Sequence, residues 1–276
     1  MRRPVSTPRR ATAPPGRLRA SGGVGGHIGA PHPNDALRLE NVTRVFGALT
    51  AIENISFSVA AGERRAVIGA NGAGKTTLFN VVTGDFPATS GRVLFFGEDV
   101  TATPPHERIR MGMRRTYQSS LLFRDLTVRD NLFLAVRGVS RNRFSFVRSS
   151  RSGPADELLE RVRLTQVAGH LVAALSHGQQ RQLEIGMALA GAPRLILFDE
   201  PAAGLSPGER AELVALLRSL PPHMGFVLIE HDLDIALRVV DRVTVMHNAR
   251  VLKHGSPAEI ENDAEVQSIY MGDRVH

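Results

Sequence analysis

The chain has no cysteine and no tryptophan. The first absence excludes disulfides, thiol catalysis and cysteine-ligated metal clusters. Only two tyrosines are present. That scarcity argues against an aromatic platform for stacking bases, and no nucleic-acid partner is expected. No apolar run approaches the roughly 18 residues that a membrane helix needs, which predicts a soluble or peripheral protein. Lysine is scarce too. Of 34 basic residues only Lys75 and Lys253 are lysines. One of these lies inside a glycine-rich stretch, GANGAGKTT (69–77), and a chain that writes nearly every cation as arginine must keep that lysine for a reason.

What is present is enough for a sizeable core. Of 276 residues, 42% are hydrophobic, which suits one large domain or two small ones. The net charge of +7 is unevenly distributed. Residues 1–34 carry six arginines (Arg2, Arg3, Arg9, Arg10, Arg17, Arg19) and no acid, leaving 28 bases against 27 acids elsewhere. That Pro-, Gly-, Ala- and Arg-rich stretch cannot bury apolar surface and reads as a disordered tail over residues 1–35. Its paired arginines precede no apolar stretch, so it is not read as a secretion signal. Contact with anionic lipid and a merely solvated extension are both compatible with it.

Order is expected from about residue 36 to 276. LRLENVTRVF (37–46) and IENISFSV (52–59) alternate as strands do. AVIG (66–69) reads as a short buried strand, KTTLFNVVTG (75–84) as a helix and RVLFFG (92–97) as another strand. From about Thr127 to Ala190 the pattern is mainly helical. RLILFDE (194–200) and GFVLIEH (225–231) are apolar runs of the kind found in buried parallel strands. Between them, Ser206-Pro207-Gly208-Glu209 fits a capping box with proline at the first helical position. Leu213, Leu216, Leu217 and Leu220 then follow at helical spacing. DRVTVMHNARVLKHG predicts a hairpin turning at His247-Asn248, and SPAEI starts a last helix. The expected architecture is an α/β nucleotide-binding core with a helical insertion at about 119–191.

Gly69-x4-Gly74-Lys75-Thr76 satisfies the P-loop pattern. Glycines let successive backbone N–H groups turn inward into an anion-binding nest, and the helix that follows presents its positive N-terminus. Gly69, Asn71, Gly72, Ala73, Gly74, Lys75, Thr76 and Thr77 are the expected nucleotide contacts. Lys75 would reach the β- and γ-phosphates and Thr76 would ligate Mg²⁺. A second acidic site is supplied by LILFDE: Asp199 for Mg²⁺ and Glu200 for the attacking water, at a strand's C-terminal end, where open α/β sheets bind ligands.

LSHGQQRQLEIGMALA (175–190) resembles the signature of ATP-binding-cassette (ABC) ATPases, and other marks of that family follow. Gln118 in RRTYQSSLLF matches the Q-loop. Glu200-Pro201 completes the second Walker motif, AAGLS (202–206) matches the D-loop, His231 in IEHD the switch histidine, and Phe46 the A-loop aromatic. The resemblance spans residues 36 to 273. It implies a P-loop NTPase (RecA-like) core with an antiparallel β subdomain and a helical signature subdomain. It further implies a head-to-tail dimer in which ATP on one P-loop is covered by Ser176, Gly178 and Gln179 of the other copy. Phe46 would stack on adenine, His231 would hold the γ-phosphate and the water, and Gln118 would sense the metal. His177 stands where the family commonly has glycine, and Ser206 where it commonly has aspartate.

The wording LSHGQQRQLEIGMALA, DEPAAGL, IEHD and IYMGD looks like the ATP-binding subunits of branched-chain amino-acid importers, whose relatives also import urea and short amides. That branch implies two permease subunits, an extracytoplasmic solute-binding protein, a homodimer or a heterodimer with a paralogue, and a peripheral place at the cytoplasmic face of the inner membrane. The alternatives are the ATPase of a lipopolysaccharide-type exporter and a soluble, non-transport ABC ATPase. The short basic stretch 137–151 would face either the permease, lipid or solvent.

Overall fold

The computed structural model describes residues 32–117, 121–139 and 153–272. The N-terminal tail to residue 31, Gln118 and most of the basic stretch (140–152) lie outside the described residues. Regular structure begins with a hairpin, β1 (Asp35–Phe46) and β2 (Leu49–Ala60), followed by β3 (Arg64–Ile68) and α1 (Lys75–Thr83). Next come β4 (Ser90–Phe95), β5 (Glu98–Asp99), α2 (Pro105–Arg110) and β6 (Met113–Arg115). The helical part contains α3 (Val128–Val139), α4 (Pro154–Arg161) and α5 (His177–Leu189). The chain then returns through β7 (Leu195–Asp199), α6 (Pro207–Ser219), β8 (Gly225–Ile229) and α7 (Leu233–Val239). It ends with β9 (Arg242–His247), β10 (Arg250–Gly255), α8 (Pro257–Glu261) and α9 (Ala264–Gly272).

Two sheets organise these elements. The larger has the order β10-β9-β3-β8-β7-β6, and every pair except β10–β9 is parallel. The smaller is antiparallel, with the order β2-β1-β4-β5. Strand β7 up to its terminal Asp199, and all of β8, are apolar because both faces are covered. Ile196, Phe198, Phe226 and Leu228 pack towards α3–α6, whereas Leu195, Leu197, Val227 and Ile229 pack towards α1 and the antiparallel sheet. Helix α1 thus lies between the two sheets, with Leu78, Phe79, Val81 and Val82 buried there.

Local chemistry sets the ends of these elements. Ser206 caps α6, with Pro207 at the first turn and a full capping box to Glu209, as the pattern predicts. Two boundaries differ from expectation. The strand read as 92–97 ends at Phe95, because Phe96 and Gly97 take φ of 48° and 82° and turn the chain into β5. The last hairpin turns at Asn248-Ala249 rather than His247-Asn248. Both residues have positive φ (46° and 64°), and His247 pairs with Arg250, the two-residue loop that matches strand twist.

Candidate active site

Strand order brings the expected site residues together. The P-loop follows β3, His231 follows β8 and Asp199-Glu200 ends β7, and these are adjacent parallel strands in the order β3-β8-β7. All three groups therefore emerge at the same C-terminal edge of the sheet, where open α/β folds place ligands. Strand β6 adjoins β7 and leads towards Gln118.

The P-loop is held shut by backbone contacts that only glycine tolerates. At Gly69 (φ 155°) a Cβ would lie 2.2 Å from Met246 O, and at Gly74 (φ 98°) one would lie 2.4 Å from Ala51 O. Gly74 is the N-cap of α1 and no side chain caps that helix, so its first N–H groups are left to an anion. Lys75 is buried, and its Nζ donates to Gly69 O at 2.7 Å and Ala70 O at 3.0 Å. The ammonium thus lies inside the loop it belongs to.

Asp199 is 1% exposed. Its Oδ2 accepts from Arg115 at 2.7 Å, while Oδ1 is buried with no hydrogen-bond partner among the described residues. A buried carboxylate oxygen left over in this way is a donor that suits a hard cation such as Mg²⁺. Glu200 takes φ 47°, and its Oε2 lies 3.9 Å from His231 Nδ1. Both side chains reach solvent, His231 at 54% and Glu200 at 21%, as a pair that must meet an incoming ligand should.

Phe46 ends β1 on the exposed side of the hairpin, not in the core. Its ring meets Phe86 edge-on at 5.3 Å, and the Arg44 guanidinium lies 4.3 Å above it. Ser176 caps α5. Gln179 completes the capping box, its Oε1 accepting the Ser176 N–H at 3.1 Å. His177 is exposed, and its Nε2 lies 3.4 Å from Ala203 O.

Three side chains escaped the sequence reading. Arg115 ties Asp199 to Asn80 (2.6 Å) and Asp85 (3.2 Å) at the far end of α1. Its only sequence signal is a basic residue on a short strand three positions before Gln118. Glu230 is fully buried, and its Oε1 accepts the Ala202 N–H at 2.9 Å. Burial, with Glu200 and Asp232 adding repulsion, pushes its carboxyl up to about 7. An acid closing an apolar strand was its signal. Glu209 was read as a helix cap only; its second set of contacts is non-local.

Comparison with known proteins agrees with this geometry. The family model for ABC transporters matches residues 52–203. The high-affinity branched-chain amino acid transport ATP-binding protein BraF of Pseudomonas aeruginosa is 34% identical over 249 residues, covering 86% of this chain and 98% of that protein. The corresponding protein LivG of Escherichia coli is 35% identical over 240 residues, covering 83% and 94%. Among solved structures, the ADP conformation of MJ1267, an ATP-binding cassette of an ABC transporter, superimposes with a TM-score of 0.75 at 33% identity. It covers 86% of this chain and 99% of that one.

Proposed function

Because the chain belongs to the ABC transporter family of nucleotide-binding ATPase subunits, we propose that it powers uptake of branched-chain amino acids, or of chemically related small solutes such as urea and short amides, through two permease subunits. The observation that carries this reading is near full-length similarity to branched-chain amino acid transport subunits in a chain whose site groups share one sheet edge. Among the described residues no helix is long and apolar enough to cross a membrane, which is compatible with attachment through permeases at the cytoplasmic face of the inner membrane. An extracytoplasmic solute-binding protein would deliver the solute.

The working unit is a facing dimer, either of two copies or with a paralogue. Backbone N–H groups of residues 71–77 bind the phosphates of ATP, and Lys75 exchanges the carbonyls of Gly69 and Ala70 for the β- and γ-phosphates. Thr76 and Asp199 would hold Mg²⁺, with Gln118 as a further ligand. Bound there, the ion would neutralise charge on the β- and γ-phosphates. Glu200 orients and deprotonates the attacking water. His231 fixes that water and the γ-phosphate, Phe46 stacks on adenine, and Ser176, Gly178 and Gln179 of the facing copy close the site.

The test is to co-purify the chain with its membrane partners and to screen the associated solute-binding protein against amino acids, urea and amides. Binding of a branched-chain amino acid or a short amide, with stimulated ATP hydrolysis by the assembled complex, is expected. Co-purification with lipid-export permeases, or with no membrane protein, would contradict the reading.

A further inference from the structure

Glu209 stands at the third position of α6, and its carboxylate serves two helices at once. Oε2 accepts the Ser206 N–H at 3.0 Å and the Ser206 hydroxyl at 2.8 Å, completing the α6 cap. Oε1 accepts the Gly178 N–H at 2.8 Å and the Ser176 hydroxyl at 3.3 Å, at the start of α5. The approach is close: a Cβ at Gly178 would lie 2.6 Å from Oε1, so a larger residue there would push this carboxylate aside. The four donors, led by the Ser206 N–H, hold Glu209 ionised, with its carboxyl lowered to about 2.

Ser176 and Gly178 close the site on a facing copy's ATP in the proposed function, and the Ser176 hydroxyl and Gly178 N–H are the groups there that can donate to its γ-phosphate. We propose that Glu209 is an internal placeholder for that γ-phosphate: it occupies the Ser176 and Gly178 donors in the separate subunit and must give them up when a facing subunit presents ATP. The inference rests on the facing-dimer reading. Its physical basis is that one N–H cannot serve two anions, and a carboxylate left within contact of a phosphate would repel it. Dimer closure therefore competes with the Glu209 contacts. The exchange also reaches further. One carboxylate oxygen binds α5 and the other caps α6, directly after the Ala203–Gly204 turn on which His177 rests. Emptying the first oxygen alters how the second is held, and so ties occupancy of the signature to the loop that follows Glu200.

The experiment uses the full chain carrying Glu200→Gln, which slows hydrolysis, with and without Glu209→Gln. ATP with Mg²⁺ is titrated while light scattering follows dimer formation, and ADP affinity is measured separately. Glu209→Gln keeps an oxygen for Ser206 but removes the charge from Gly178. It is expected to lower the ATP concentration for half-maximal dimerisation about tenfold, the scale of one charge-assisted hydrogen bond, with ADP affinity unchanged. Glu209→Asp retains the charge but shortens the reach, and it should shift dimerisation in the same direction. That variant also covers the case in which loss of the cap unfolds the first. Unchanged or raised ATP requirements in the folded variants would overturn the placeholder. A Glu200→Gln parent that stays monomeric at saturating ATP would instead overturn the facing-dimer reading on which the inference stands.

Discussion

At position 75 the side chain is enclosed by its own loop, with Nζ donating to Gly69 O and Ala70 O from a buried position. A compact ammonium on a flexible stem fits there and can swing from carbonyls to phosphates. A planar guanidinium is wider, and its fork suits open bidentate contacts. Lys75→Arg should therefore cut ATP turnover by at least ~100-fold despite the conserved charge, and near-normal steady-state rates would contradict the steric argument. Glu230 gives a pH-dependent prediction. Its carboxyl is raised to about 7 by burial, so the folded state holds a proton that the unfolded state releases near its ordinary value. Between about pH 4.5 and 7 the native chain thus loses stability as pH rises, by roughly 3 kcal/mol at this one site. Above that window the penalty is constant. Glu230→Gln removes the titration, so its stability relative to the parent should climb by about that amount from pH 4.5 to 8 in denaturant unfolding. A parallel pH dependence of the two proteins would refute the assignment.

Helix α1 carries the phosphate loop at one end and is anchored at the other by an arginine from α2. Arg108 is fully buried; its Nη1 donates to Val81 O and Val82 O, and its Nε to Thr103 O. Val81 O and Val82 O are carbonyls of the last turn of α1, and Val81 O also accepts the Gly84 N–H at 3.2 Å. Arg108→Ala should cost about 3 kcal/mol of unfolding free energy by orphaning Val82 O and emptying a buried site, and a loss near zero in chemical denaturation would show that the carbonyl finds another partner. Which elements were legible in the sequence follows from how local their causes are. β7 and β8 read as buried parallel strands because both faces are apolar, and α6 read from Ser206 to Leu220 because cap, proline and leucine spacing are all within its own residues. The final hairpin was displaced by one residue because Ala249, which has no special preference for positive φ, shares the turn with Asn248. The β1–β4 pairing, the Arg115–Asp199 contact and the second face of Glu209 join residues distant in sequence, and no local pattern encodes them. The P-loop, Asp199-Glu200 and His231 were readable because each follows its own strand, while their convergence is a property of strand order.

At the scale of the molecule, the ordered core closes on itself at its beginning: the Ala61 N–H donates to Asn34 O and Asp35 pairs with Ala60. Removing residues 1–31 stops short of those contacts and should leave ATP hydrolysis and complex assembly intact; lost permease co-purification would show that the arginine-rich tail is part of the machinery. The chain itself supplies one phosphate loop, one acidic pair and one signature, so in the proposed function two copies or paralogues bring signature to phosphate across an interface. In that proposed assembly Glu200, beside Asp199 and 3.9 Å from His231, carries the chemistry. Its most direct test is ATP turnover by Glu200→Gln with oligomeric state followed in the same sample. Hydrolysis at least ~100-fold slower, ATP affinity retained and an accumulated ATP-bound dimer are expected. Turnover at the parent rate would contradict it.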